Sequence, residues 1–399
     1  MNFDVMTSLE IHLEGSPRTA YIVDKIIDVG CGMYPIYYVE RDTDLLVATS
    51  VTDLIFELGD FQQNDAFEPV EYLEEATIGD SLQTLLPAAL LEMVPSQLAS
   101  VLRTVGFLSS VHWDKSSETV DKRIKILQPF ECVTPNESFH EFEPTFSLSD
   151  PSEFVDRSAV CIQEFVNEIE RRFPHHEHII RMGGKDSQLI ALAPKVTNNW
   201  SVFSAEPNYP IVERFLKENG ININKLYHHD NQNKESYEEF CRKVICSDLR
   251  SDPQHLRWYP TLEKIVQSHN GDVIFWGGTE GDTIYSYHAD YGNLSGREYF
   301  DLHFNRAANW QSITHQVTKN YTGVPMLSPY HSPTIWTELF CHYDPKMISK
   351  GIDLRSDLGE RLFGEDVWWP KRNPGPSPYS YDWNASLLSI YVDYINTNI

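Results

Sequence analysis

The chain has 399 residues, enough for two domains with cores of their own, and its 41% hydrophobic and 12% aromatic residues describe a folded globular protein. A net charge of −26, with no sizeable Lys/Arg cluster, disfavours nucleic acid, whose binding runs on cationic contacts. The acidic surface suits a cationic or peptide partner, and it equally suits plain solubility. There is no run of about 18 apolar residues, so no membrane span is expected. The first residues lack the basic start and apolar centre of a signal peptide, which predicts a cytoplasmic protein. Cys31, Cys132, Cys161, Cys241, Cys246 and Cys341 include no CxxC pair, pointing to reduced thiols rather than a disulfide frame or a zinc site.

In chain order, Ala20-Tyr21-Ile22-Val23, Pro35-Ile36-Tyr37-Tyr38-Val39 and Leu45-Leu46-Val47-Ala48-Thr49 read as strands. Residues Leu82 to Val94 and Gln97 to Val105 carry helical apolar spacing. The Pro-, Ser- and acid-rich stretch from Thr134 to Ser152 has no clear period and reads as a linker or the closing edge of a first domain. From there the pattern changes. Phe154 to Arg172 is an amphipathic helix. The strand-like runs Ile179-Ile180, Trp200 to Ser204, Lys225 to Tyr227 and Asp272 to Trp276 then alternate with helices. That alternation predicts an α/β, doubly wound parallel sheet over residues 149–399, after an α+β domain over residues 1–148.

The stretch Arg181-Met182-Gly183-Gly184-Lys185-Asp186-Ser187 follows the first of these strands and leads into a helix expected to open at Asp186. Glycines permit a sharp turn and close approach of a ligand to the backbone. The helix N-terminus behind them offers unsatisfied N–H groups and partial positive charge, which suit phosphate. The Asp can hold Mg²⁺ and the Ser can donate to a phosphate oxygen. Spacing and the missing terminal Lys exclude a Walker A loop. A second glycine turn, Gly277-Gly278-Thr279-Glu280-Gly281-Asp282, follows the strand ending at Trp276 and falls at the same sheet edge. A carboxylate there would share a cation with Asp186. Lys371 stands in a Pro/Gly-rich loop with no fold reason to be there, and would neutralise a leaving pyrophosphate.

Together these segments resemble the asparagine synthetase family, in its branch of biosynthetic amide ligases such as β-lactam synthetase and the lasso-peptide cyclases. Gly183 to Ser187 resembles that family's SGGxDS pyrophosphate loop, as in other ATP pyrophosphatases. Ser251-Asp252-Pro253 with the Thr261–Ser268 helix, Gly277 to Asp282, Gly323 to Tyr330, and Leu354-Arg355 through Pro370-Lys371 resemble its later segments in the same order. Asp28 to Tyr38 followed by Ala48-Thr49 is similar to part of its glutaminase domain. The resemblance implies a C-terminal ATP-pyrophosphatase domain, of the adenine nucleotide α-hydrolase type, behind a glutaminase-like one. It further implies ATP and Mg²⁺ as cofactors, with pyrophosphate release from an adenylated carboxylate and amide formation with an amine. Gly183, Gly184, Lys185, Ser187 and Gly277 would line the pyrophosphate site, Ser204 would touch adenine, and Asp186 and Asp282 would hold Mg²⁺. Lys371 would stabilise charge on pyrophosphate. The implied partners are a small-molecule or peptide carboxylate, an amine and a peptide-processing protein.

Departures from the pattern shape the reading. Asn2 stands where the glutaminase has its nucleophilic Cys, so glutamine hydrolysis is not expected and the amine must be another one, as in lactam or macrolactam formation in natural-product biosynthesis. Met182 replaces a phosphate-binding Ser. Gly278 occupies the place of a catalytic Glu or Tyr, and Gly281 that of an Asp. Glu280, Tyr285 and His331 are the candidates to deprotonate the amine. Trp258-Tyr259 and Trp368-Trp369 are candidates for a lid that excludes water, or for core packing. Two alternatives stand beside the ligase: a tRNA-modifying or sulfur-transferring ATP pyrophosphatase, opposed by the charge and the unpaired cysteines, and an inactive peptide-binding scaffold of the same fold.

Overall fold

A computed structural model of the chain describes residues 2–3, 5–15, 19–28, 35–67, 119–140, 145–229, 235–251, 256–279, 281–285, 297, 312–339, 342, 344, 353–371 and 386–399. The protein is α/β, with a mixed five-stranded sheet in its N-terminal part and a parallel five-stranded sheet in its C-terminal part.

The N-terminal part contains β1 (Asn2–Phe3), β2 (Met6–Thr7), α1 (Ser8–Glu14), β3 (Tyr21–Val23), β4 (Ile26–Ile27), β5 (Tyr37–Glu40), β6 (Leu45–Ala48), α2 (Val51–Leu58), β7 (Lys125–Ile126), β8 (Glu131–Thr134) and β9 (Glu137–His140). The mixed sheet runs β1-β3-β6-β5-β7, and a four-stranded sheet runs β2-β4-β8-β9. The three expected strands occur as β3, β5 and β6. Their apolar runs lack polar alternation because both faces are covered. Tyr37, Val39, Leu46 and Ala48 enter one hydrophobic cluster, while Tyr38, Leu45 and Val47 enter another. The stretch from Thr134 to Ser152 holds β9, the edge strand of the smaller sheet, so it closes a sheet rather than only linking. The helical spacing at 82–105 lies outside the described residues.

Next come α3 (Pro151–Arg172), β10 (Glu177–Arg181), α4 (Lys185–Leu192), β11 (Trp200–Ala205), α5 (Tyr209–Glu218), β12 (Leu226–His229), α6 (Tyr237–Cys246), α7 (Tyr259–Ser268) and β13 (Val273–Trp276). They are followed by α8 (Gly281–Tyr285), α9 (Ser312–Thr322), β14 (Met326–Leu327), α10 (Pro333–Glu338), α11 (Arg355–Phe363) and α12 (Leu387–Asn398). The amphipathic helix α3 starts on Asp150, whose carboxylate accepts from the Ser152 N–H at 2.9 Å, with Pro151 in the first turn. The parallel sheet is ordered β12-β11-β10-β13-β14. The chain therefore winds outward from β10 to β12, then returns to start again at β13 on the other side of β10. Side chains alternate across this sheet. Ile180, Val202, Ile274, Trp276 and Leu327 pack into a cluster with residues of α3, α4 and α11. Ile179, Phe203, Val273, Phe275 and Met326 pack into one with residues of α7 and α9. Every expected strand of this part is present. The two-residue β14 is too short to register as a pattern, and the sequence reading missed it.

One hydrophobic cluster joins Ile11, Val23, Tyr38 and Val47 to Phe154, Ile180 and Trp276, on either side of position 148. Polar contacts cross the same boundary. Lys319 of α9, 2% exposed, donates to the carbonyls of Ile11 and His12 in the last turn of α1, where the Ile11 carbonyl also accepts from the Gly15 N–H at 3.1 Å. Burial lowers the Lys319 pKa to about 7. Between that value and the ordinary lysine value of about 10.4, the unfolded chain binds a proton that the folded one does not, so stability rises with pH over that range. The thermal unfolding midpoint is accordingly expected to climb from about pH 7 to about pH 9, and Lys319→Met to flatten the climb. Lys195, which burial also brings to about 7, and Lys243, whose pKa burial lowers, act in the same direction. A variant with the wild-type slope would overturn the assignment. No described helix is long and apolar enough to cross a membrane. The described cysteines Cys132, Cys161, Cys241 and Cys246 form no disulfide.

Candidate functional site

The winding reverses at the β10–β13 boundary, and in open parallel sheets ligands bind beyond the carboxyl ends of strands at such a point. A cleft of about 310 Å³ lies there. Arg181 and Met182 at the end of β10 form part of its wall, with Gly183, Gly184, Asp186 and Ser187 of the following turn and helix. Phe203 and Ala205 of β11 border it with Glu206 and Asn208 of the turn that follows, and Gly278 and Thr279 from the turn after β13. Arg257 and Trp258, just before α7, complete it.

The glycine loop is tied to itself. The Ser187 hydroxyl accepts from the Gly183 N–H and donates to the Gly184 carbonyl, both at 3.0 Å. Gly184 caps α4 with φ −105°, outside the left-handed region, so the backbone torsion does not itself require glycine here. Helix α4 begins at Lys185, one residue before the expected Asp186. Its first turn is held from the far side by Tyr330, whose hydroxyl donates to the Asp186 carbonyl at 2.6 Å. Thr279 is fixed in the cleft wall by two contacts. Its hydroxyl lies 2.8 Å from His315 Nε2, and its carbonyl accepts from Ser328 Oγ at 2.9 Å.

Charge in the site is supplied mainly by arginine. Arg181 and Arg257 both stand near the Trp258 ring, at 5.4 and 5.0 Å from its centroid. Burial pushes the Arg181 guanidinium below its ordinary pKa. Its Nη1 is enclosed without a hydrogen-bond partner, and no carboxylate among the described residues forms an ion pair with it. Asp186 is paired with Arg355 of α11, Nη1 to Oδ1 at 3.0 Å. Arg355 also grips Asp353 through Nε at 2.8 Å and Nη2 at 3.0 Å. Lys185 joins the same group, with Nζ 3.1 Å from Asp353 Oδ2 and 3.1 Å from Ser356 Oγ. Burial works against the Asp353 carboxylate, but Arg355 and Lys185 outweigh it and hold its pKa down at about 2.

The structure thus brings Gly183, Gly184, Asp186 and Ser187 to one cleft, with Gly278 beside them. Other expected residues lie elsewhere. Lys185 faces α11. Ser204 is buried, while its neighbours Phe203 and Ala205 border the cleft. Gly277 donates to the Leu327 carbonyl at 2.8 Å, in the β13–β14 pairing. Tyr285 is fully buried between Phe154 and Tyr330, at centroid distances of 5.5 and 5.8 Å, and sits in the core. His331 is buried against His315 and Trp336. Lys371 is exposed and absent from the cleft wall. Glu280 lies outside the described residues, as does the side chain of Asp282, whose backbone opens α8. Of the aromatic pairs, Trp258 borders the cleft, Tyr259 is core, and Trp369 packs on Phe215 at 5.8 Å. Sequence reasoning gave no role to Arg181, although it opens the quoted motif, nor to Arg257, Asn208 or Arg355. A buried-strand terminus ending in Arg, directly before a glycine loop, was the available signal.

No protein-family model matches the chain, and no curated protein matches it. On chemistry alone, the apolar faces of Phe203, Trp258 and Met182 suit a ring, and two arginines with a helix N-terminus suit phosphate. The nucleotide therefore fits. Among the described residues no group of three His, Cys, Asp or Glu side chains is placed to hold a cation, and Asp186 Oδ1 is engaged by Arg355, so these residues do not by themselves form a cation site.

Proposed function

We propose that this protein is an ATP-dependent ligase that activates a carboxylate as its adenylate, releases pyrophosphate, and joins the carboxylate to an amine, without glutamine hydrolysis. The observation that carries the reading is the cleft at the β10–β13 reversal, where a glycine loop, a helix N-terminus and two arginines converge beside an aromatic face. The order of segments resembling the asparagine synthetase family supports the finer assignment: an ATP-pyrophosphatase fold behind a glutaminase-like part in which Asn2 replaces the nucleophile. In this reading Gly183, Gly184 and Ser187 bind the pyrophosphate end, Trp258 and Phe203 flank the base, and Lys371, exposed outside the cleft wall, would have to swing in to meet the leaving group. Substrates in natural-product or modified-peptide biosynthesis, closed as lactams or macrolactams, fit the absence of a glutamine nucleophile.

A second reading, a peptide-binding scaffold of the same fold, is favoured by the pairing of Asp186 with Arg355 and by Tyr285 in the core. ATP–pyrophosphate exchange in the presence of candidate carboxylates and peptides separates the two. Exchange that depends on a carboxylate and falls by about tenfold or more in Lys371→Ala is expected. ATP binding without exchange under every carboxylate would favour the scaffold, and absence of ATP binding would overturn the nucleotide reading.

A further inference from the structure

We propose that the cleft binds a polyphosphate anion through Arg181 and Arg257 and does so without a divalent cation, because Arg355 already gives Asp186 the positive partner that a metal would bring. The inference rests on the nucleotide reading of the cleft and names how its charge is balanced.

A guanidinium enclosed by protein with no carboxylate beside it is costly, and the cost is relieved by an anion brought in from outside. Arg181 pairs with no carboxylate among the described residues: Tyr259 hydrogen-bonds the guanidinium, but Nη1 is enclosed without a partner, and the residue forms part of the cleft wall. The Trp258 ring beside both Arg181 and Arg257 orients the two cations, and planar guanidinium groups match phosphate oxygens in pairs of hydrogen bonds. A carboxylate in the same cleft would repel phosphate unless neutralised. Asp186 and Glu206 are such carboxylates: Arg355 neutralises the first at 3.0 Å while being anchored by Asp353 on its other edge, and the second lies 3.0 Å from His228 Nε2. A cation arriving at Asp186 would meet Arg355 already on Oδ1, with Asp353 holding the guanidinium from its other edge. The loop carboxylate is therefore a support for Arg355 rather than an open metal ligand.

Calorimetric titration of the full chain with inorganic pyrophosphate, and separately with ATP, each in EDTA and in Mg²⁺, tests this. The wild type is expected to bind both anions in EDTA within about threefold of its affinity in Mg²⁺. Arg181→Met is expected to weaken pyrophosphate binding by about tenfold or more in either buffer, with Arg181→Lys recovering part of the loss. Arg355→Met uncovers Asp186, so its binding should become dependent on Mg²⁺, a change that mere loss of stability would not produce. Arg181→Lys, which keeps the charge, serves as the readout should the methionine variant fail to fold. Binding by the wild type only in Mg²⁺ would overturn the proposal and leave the nucleotide reading standing. Unchanged affinity in the Arg181 variants would also overturn it. No binding of either anion in either buffer would overturn both. Pyrophosphate bound as tightly as ATP would identify the phosphates as the recognised group, whereas ATP alone would add the base.

Discussion

Gly278→Ala is expected to lower the stability of the protein by about 1–3 kcal/mol, whereas Gly183→Ala leaves stability within about 0.5 kcal/mol and instead weakens pyrophosphate binding. The two glycines look alike in sequence, and their surroundings differ. A Cβ added at Gly278 would lie 2.7 Å from the Asp186 carbonyl carbon and 2.8 Å from the Asp186 Cβ, both in the first turn of α4. One at Gly281 would lie 2.8 Å from the same Cβ and 2.9 Å from the Tyr330 ring. Most of these are backbone or first side-chain atoms, which cannot swing aside, so the turn after β13 and the start of α4 would have to separate. A Cβ at Gly183 would meet only Asn208 Nδ2, at 3.7 Å. Asn208 borders the cleft, so the methyl group would stand where the ligand goes rather than where the fold packs. Chemical denaturation and calorimetry on both variants distinguish the roles. Equal destabilisation, or a Gly183→Ala protein with intact affinity, would refute the division.

The same comparison explains what could be read from the chain beforehand. Strands β10, β11 and β13 were legible because a strand buried on both faces is a short apolar run, and Ile179-Ile180 or Val273 to Trp276 is recognisable without any partner. The glycine loop was legible because its elements are contiguous. Gly278 and Gly281 were read as departures at catalytic positions. Their tight contact with Asp186 depends on two loops meeting at a sheet edge, and spacing along the chain carries no trace of that. Tyr285 looked available for catalysis because a tyrosine after an acidic turn gives no hint of which way α8 faces. It faces Phe154 of α3, more than a hundred residues earlier. Arg355 and Asp186 are 169 residues apart in sequence, so neither the pairing nor its consequence for the carboxylate was visible.

The largest loss of stability is expected from Asp248→Ala, about 3–5 kcal/mol. Asp248 is 1% exposed and joins the two parts of the chain. Its carboxylate accepts from the N–H groups of Val51 and Thr52 at 3.0 and 3.2 Å, which are among the open donors at the start of α2. It also accepts from the hydroxyls of Thr52, Ser50 and Tyr391 at 2.9, 3.3 and 3.2 Å, and from Gln316 Nε2 at 2.6 Å. Burial alone raises the Asp248 pKa, and the donors oppose it. Alanine would leave some of these donors enclosed without an acceptor, at about 1–3 kcal/mol for such a group, while the Thr52 and Tyr391 hydroxyls, 2.7 Å apart, still have each other. A torsional cost adds to this, because Asp248 has φ 50°, where an alanine is disfavoured by about 1–2 kcal/mol. Asp248→Gly removes the carboxylate without that cost, so the gap between the two variants isolates the backbone share. Asp248→Asn keeps the shape and tolerates the torsion, but turns an amide N–H₂ toward donors, and should fall between wild type and alanine. Guanidinium denaturation of the three variants measures the order. If alanine and asparagine proved as stable as the wild type, the clamp between α2, α9 and α12 would have to be supplied by their apolar contacts alone.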